Sequence, residues 1–101
     1  MNLESMEKNS AKAVLLLKAM ANEKRLQILC LLHTKELSVG ELGSKLALSQ
    51  SALSQHLAWL RRDELVQTRK EAQTVYYSLN SEEVKSMIKL LYSMYCETDS
   101  E

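Results

Sequence analysis

The apolar positions fall into four helical stretches, a β-rich pair and a last helical stretch. From Lys8 to Met20 the residues Ala11, Val14, Leu15, Leu17 and Met20 recur at helical spacing, and Leu16 adds apolar surface outside that stripe. A helix apolar on more than one side is buried on more than one side. Asn22 offers an N-cap to a second helix carrying Leu26, Ile28, Leu29, Cys30 and Leu32 to about His33. After Thr34, Lys35 and Glu36, the stretch "ELSVGEL" opens a third helix. Ser38 is its cap, Glu41 closes a capping box three residues on, and Val39, Leu42 and Leu46 point inward.

Ser49 caps a fourth helix in which Leu53, Leu57 and Leu60, spaced i, i+4, i+7, face the core. The opposite face is then Gln50, Ser51, Ser54, Gln55, Ala58, Arg61 and Arg62. After Asp63 and Glu64 the period becomes strand-like. "LVQTRK" and "TVYYSL" flank Glu71, Ala72 and Gln73, which predicts a hairpin with a glycine-free turn. Ser81 caps a last helix, with Glu82 and Glu83 suiting its macrodipole and Val84, Met87, Ile88, Leu91, Met94 and Tyr95 along it. The predicted elements are helices over about 8–20, 22–33, 38–46 and 49–62, a hairpin over 65–79 and a helix over 81–96.

Composition narrows the class. The 101 residues, with no proline and only Gly40 and Gly43, predict one mainly helical domain with few tight turns. So small a core is helped by a second subunit, and a dimer is expected. No apolar run is long enough to span a bilayer, and no basic segment followed by a long apolar one opens the chain, so a cytoplasmic location is expected. Net charge is zero but uneven: +2 over 1–40, +1 over 41–80 and −3 over 81–101. Bulk charge therefore gives no argument for nucleic acid, and any such reading rests on local pattern.

That pattern exists. Two short helices joined at Ala47-Leu48, the second presenting Ser, Gln and Arg outward, followed by a two-stranded ribbon, make the winged helix-turn-helix plan, mainly α with a β-hairpin wing: four helices, two strands and a last helix. Gln can bond adenine bidentately, Ser can bond bases or phosphate, and Arg reads guanine or backbone. Small residues at Ser51, Ser54 and Ala58 bring the helix axis close to base edges. The hairpin tip, bearing Arg69, Lys70 and Gln73, is placed to reach adjacent phosphates or the minor groove. The plain alternative is the solvated side of an amphipathic helix, and spacing alone leaves both open.

"LSQSALSQHLAWLRRDELV" and "RKEAQTVYYSL" resemble the recognition helix and wing of the ArsR/SmtB family of bacterial winged-helix regulators. The resemblance covers Val14 to Cys96, and "MEKNSAKAV" and "LLKAMANEKRLQILC" are similar to its HlyU-type branch of haemolysin-gene regulators. It implies a homodimer that binds inverted repeats in promoter DNA. By position, Gln50, Ser51, Ser54 and Gln55 would read bases and position phosphates, with His56 on the flank of that helix and Arg61 and Arg62 at its end. The first and last helices would form the dimer interface, through Val14, Leu15, Leu17, Met87, Ile88, Leu91, Met94 and Tyr95. In the family the wing often reads R-E-G-R before V-Y-Y; here Ala72 and Gln73 stand in place of Gly and Arg, which weakens the expected wing contact.

Many relatives open the helix before the recognition helix with E-L-C-V-C-D-L, a metal-sensing thiolate pair. Ser38 and Gly40 occupy those positions and supply no thiolate. The family's other metal site uses Asp and His on the last helix, and Val84 to Cys96 holds neither. No metal and no cofactor are expected. Cys30 and Cys96 remain, either as small apolar core residues or as a redox pair whose oxidation distorts helix packing. The HlyU-type resemblance implies the second, and activation of virulence genes. His33 suits a helix C-terminus, and Trp59 with Tyr76 and Tyr77 fit core or interface anchors. No phosphate loop, paired carboxylate or nucleophile with a base appears, so no enzyme is expected. A winged-helix protein-interaction module without DNA binding is the rival reading.

Overall fold

A computed structural model describes residues 2–96. Its elements are α1 (Leu3–Met20), α2 (Glu23–Thr34), β1 (Leu37–Ser38), α3 (Val39–Lys45), α4 (Gln50–Arg62), β2 (Val66–Glu71), β3 (Thr74–Leu79) and α5 (Glu82–Tyr95). Local capping starts each helix. Asn22 Oδ1 accepts from the Arg25 amide, Ser49 Oγ from Ala52 and Ser81 Oγ from Val84. Ser38 Oγ accepts from the Glu41 amide at 3.1 Å while Glu41 Oε1 accepts from the Ser38 amide at 2.9 Å, a complete capping box.

Two elements depart from the sequence expectation. α1 starts at Leu3 rather than near Lys8, because Asn2 Oδ1 accepts from the amides of Glu4 and Ser5 and caps the helix ahead of its apolar stripe. Leu37 and Ser38 form a short strand that pairs antiparallel with Tyr77 and Tyr76. The ribbon is thus a three-stranded sheet of order β1-β3-β2, in which β2 and β3 pair from Val66↔Leu79 to Glu71↔Thr74.

The core lies between the helices and the root of the sheet. Ile28, Leu29, Leu32, Leu37, Leu42, Leu53, Leu57, Leu60, Leu65, Val84 and Ile88 are buried in it. α4 ends in a Schellman arrangement: the Leu65 amide bonds to the Leu60 carbonyl at 2.8 Å and the Glu64 amide to that of Arg61 at 3.1 Å. Glu64 takes φ 62 there, and buried Leu65 covers buried Leu60. The main chain of Leu65 and Glu64 is then tied to Asn80, which donates its amide to the Leu65 carbonyl and Nδ2 to that of Glu64. α4 and the β2–β3 hairpin are therefore one mechanical unit.

The terminal helices are less well covered. Leu3, Met6, Val14, Leu15 and Leu17 on α1, and Leu90, Tyr92, Met94 and Tyr95 on α5, are exposed. The radius of gyration, 14.8 Å, exceeds the roughly 13 Å of a compact chain this long. The accessible surface, 7174 Å², exceeds the about 5,800 Å² usual for this mass. Among the described residues no helix is long and apolar enough to cross a membrane.

Candidate nucleic-acid interface

α4 carries a well-defined polar face. Leu53, Leu57 and Leu60 are at most 2% exposed, so the helix cannot rotate without unburying all three. Their anchoring turns Gln50, Ser51, Ser54, Gln55, Ala58, Arg61 and Arg62 to solvent, with His56 half-buried at the flank. Among the described residues, the side chains of Gln50, Ser54, Gln55 and Arg61 make no hydrogen bond or ion pair within the chain. Ser51 Oγ lies 3.3 Å from the cap hydroxyl of Ser49, and Arg62 Nε is 3.2 Å from Asp63 Oδ1. An array of free amide, hydroxyl and guanidinium groups on a narrow helix can bond base edges and phosphates.

The α3–α4 connection is tight. α3 closes with the Leu46 amide on the Leu42 carbonyl, the Leu48 amide bonds back to Leu46, and Ser49 caps α4. Leu46 and Leu48 are half-buried against the core, which fixes α3 behind α4. A shallow hollow between α4, the first residue of α3 and β3 is lined by Val39, Ser54, Ala58, Arg61 and Tyr77.

The wing differs from the expectation at one residue. Arg69 is not at the hairpin tip but within β2, opposite Tyr76. Its Nη2 meets Glu36 Oε1 at 2.7 Å, its Nη1 meets Glu71 Oε2 at 2.7 Å, and the guanidinium lies 4.7 Å from the Tyr76 ring centroid. The two carboxylates hold its pKa above the ordinary guanidinium value. Its charge is matched inside the protein, which leaves Lys70 and Gln73 exposed on the ribbon. The turn itself, Ala72-Gln73, puts Ala72 at φ 55.

Sequence reasoning missed Arg25, the one buried charged residue among those described. Its Nε donates to the Ala19 carbonyl at 2.7 Å and its Nη2 to that of Lys18 at 3.1 Å. Its guanidinium lies 3.8 Å from the centroid of Trp59, on α4. Trp59 is accordingly neither a core anchor nor a free surface aromatic: it is 38% exposed and stacked.

Of the residues expected at a dimer interface, Val14, Leu15, Leu17, Met94 and Tyr95 are exposed, and Met87 and Leu91 half-buried. Ile88 is corrected: at 1% exposure it belongs to the chain's own core, because it faces inward on α5 with Val84. Cys30 is half-buried on α2, and Cys96 is exposed at the end of α5; both are free thiols. Burial pushes the Cys30 thiol above its usual pKa, and the nearby Cys96 adds to the rise.

The donor set does not fit the thiolate metal site of the metal-sensing relatives. Ser38 Oγ is engaged as the α3 cap and Gly40 has no side chain. Among the described residues no three His, Cys, Asp or Glu side chains gather where they could hold a metal ion.

Residues 22–68, from the α2 cap into β2, match the family described as bacterial regulatory protein, arsR family. The chain is 75% identical over 99 residues to the transcriptional activator HlyU of Vibrio cholerae, spanning 98% of this chain and 92% of that protein. The structure of reduced HlyU from Vibrio cholerae superposes with TM-score 0.90 at 76% identity, covering 94% of this chain and all of that one. HlyU of Vibrio vulnificus gives 0.87 at 81% identity, covering 95% and 100%. With the helix-turn-helix, its free polar face and the paired ribbon in place, the chain belongs to the ArsR family of bacterial regulatory proteins and is a DNA-binding transcriptional regulator, not an enzyme.

Proposed function

We propose that the chain acts as a homodimer on an inverted repeat in promoter DNA, with α4 of each subunit in the major groove. The observation that carries this reading is the outward face of α4. Gln50, Ser51, Ser54 and Gln55 lie at its N-terminal end, where a recognition helix meets base edges, and Arg61 and Arg62 lie at its far end for phosphates. His56 flanks the face, and Lys70 and Gln73 add phosphate contacts from the wing, with Arg69 held back by its carboxylates. The half-sites are spaced by about one helical turn, roughly 10 bp, or a multiple of it.

The uncovered apolar residues of α1 and α5 support dimerisation through those helices, with Val14, Leu15, Leu17, Leu91, Met94 and Tyr95 in the contact. The name of the Vibrio cholerae relative, a transcriptional activator, supports activation here; haemolysin or other virulence genes as targets are what the resemblance to the haemolysin-gene regulators implies. The protein works in the cytoplasm and at the nucleoid when bound.

Control runs through the cysteines. Exposed Cys96 is the first thiol that peroxide reaches; its oxidation to sulfenic acid, and condensation with the Cys30 thiol with loss of water, would tie the end of α5 to α2. That distorts the packing beneath the reading heads and releases DNA. The test is anisotropy of labelled duplex from the chain's own promoter region, against a scrambled duplex, with reduced and peroxide-treated protein. Specific binding lost on oxidation and restored by a thiol reductant is expected. Specific binding indifferent to oxidation removes the cysteine switch, and equal affinity for the scrambled duplex removes the DNA reading.

A further inference from the structure

Arg25 and Trp59 have no task in DNA contact or dimerisation, yet they join the two elements that have. The Arg25 guanidinium bonds two carbonyls in the last turn of α1: that of Ala19 at 2.7 Å, which the helix end leaves without a backbone partner, and that of Lys18 at 3.1 Å, which also accepts the Ala21 amide at 3.3 Å. The same planar group lies 3.8 Å from the Trp59 ring centroid on α4. Arg62, at the end of the reading face, has its guanidinium 5.4 Å from that ring. A continuous series of contacts therefore runs from the end of α1 through Arg25 and Trp59 to Arg62.

We propose that Arg25 and Trp59 are positioning residues that fix the angle between α1 and the reading helix α4, and thereby set the half-site spacing the dimer accepts. The proposal rests on the dimeric reading above, in which α1 is held by the partner. If α1 is fixed to the two-fold axis, whatever holds α4 to α1 determines how far apart the two reading helices lie. Arg25 suits this because its fork bonds two carbonyls while its face stacks on an aromatic ring. A lysine there keeps the charge and loses the planar stack. Trp59 gives a large, flat cation–π partner; leucine keeps apolar contact without the face.

The experiment first selects an inverted repeat from a pool of randomised duplexes with the wild-type protein. Affinities are then measured for that duplex and for versions with one base pair inserted or removed between the half-sites. Arg25→Lys and Trp59→Leu are expected to reduce the preference for the selected spacing by about five-fold, the equivalent of one cation–π contact. Trp59→Phe is expected to retain most of the preference, and all three variants to stay folded at the assay temperature, with Tm lowered by the lost contact, and to keep the wild-type affinity for a scrambled duplex. Unchanged spacing preference in Arg25→Lys and Trp59→Leu overturns the proposal. So does an equal fall in affinity for every duplex at a temperature where the variants are fully folded, since that marks a contact that only stabilises the fold. Failure of the wild type to select any inverted repeat strikes the dimeric reading itself, and this inference with it.

Discussion

Arg69 on β2 is held by Glu36, 33 residues earlier on the approach to β1: Nη2 lies 2.7 Å from Oε1, and Nε lies 3.0 Å from each carboxylate oxygen. The bidentate pairing fastens the wing to the connector between α2 and α3, and it neutralises the arginine nearest to the hairpin tip. On the proposed reading, the wing's charge for phosphate contact then comes from Lys70, beside the neutral Gln73. Lys70→Ala is expected to lower the slope of log affinity against log salt by about 1, while Arg69→Ala leaves it nearly unchanged. A salt titration of duplex binding for both variants checks this, and an equal loss for Arg69→Ala would show that the arginine leaves its carboxylates to meet DNA.

Two non-glycine residues sit in the left-handed region, Glu64 at φ 62 and Ala72 at φ 55. A side chain there costs about 1 kcal/mol or more relative to glycine. Glu64→Gly, at the Schellman end of α4, and Ala72→Gly, in the ribbon turn, are each expected to raise stability by about 0.5–1 kcal/mol. Urea unfolding should show a higher midpoint with an unchanged m-value.

Cys30 should be slow to alkylate at neutral pH. Its thiol lies above the usual range because burial and the neighbouring Cys96 disfavour the thiolate. Since the folded value is raised, the contribution of this shift to stability is present below the unfolded thiol pKa and declines as pH rises through the folded one. In Cys96→Ser, the iodoacetamide rate at Cys30 is expected to climb with a midpoint on the alkaline side of a free thiol's. A midpoint below a free thiol's would contradict this.

A charge on the exposed apolar stripe of α1 should separate the subunits. Leu17 is 52% exposed and lies outside the core, so Leu17→Glu spares the monomer fold and places a carboxylate in the proposed contact. Sedimentation is expected to show a monomer with wild-type far-ultraviolet circular dichroism. A dimer of unchanged strength would place the interface elsewhere.

The parts legible in the sequence were those decided locally. Ser38 with Glu41, Ser49 and Ser81 act within one turn of where they stand, so the helix starts could be read from spacing. The Leu53, Leu57 and Leu60 period likewise fixed which face of α4 turns outward. β1 was illegible because two residues carry no period, and it exists only through pairing with Tyr76 and Tyr77. Ile88 lies on the same apolar helix as Met94 and Tyr95, and only packing separates a core position from an exposed one. Arg69 with Glu36 and Arg25 with Trp59 are contacts between distant segments, which no local pattern announces.

The most direct test of α4 as the reading surface is the Ser54→Ala/Gln55→Ala double variant, titrated with the promoter duplex and the scrambled duplex beside the wild type. Both positions are exposed and bonded to nothing in the fold, so the variant should remain a folded dimer by sedimentation and thermal melting. The expected result is loss of about 1–3 kcal/mol of preference per base contact removed, leaving the promoter bound no better than the scrambled duplex. Full-strength, sequence-specific binding by this variant would contradict the assignment of α4 as the element that reads DNA.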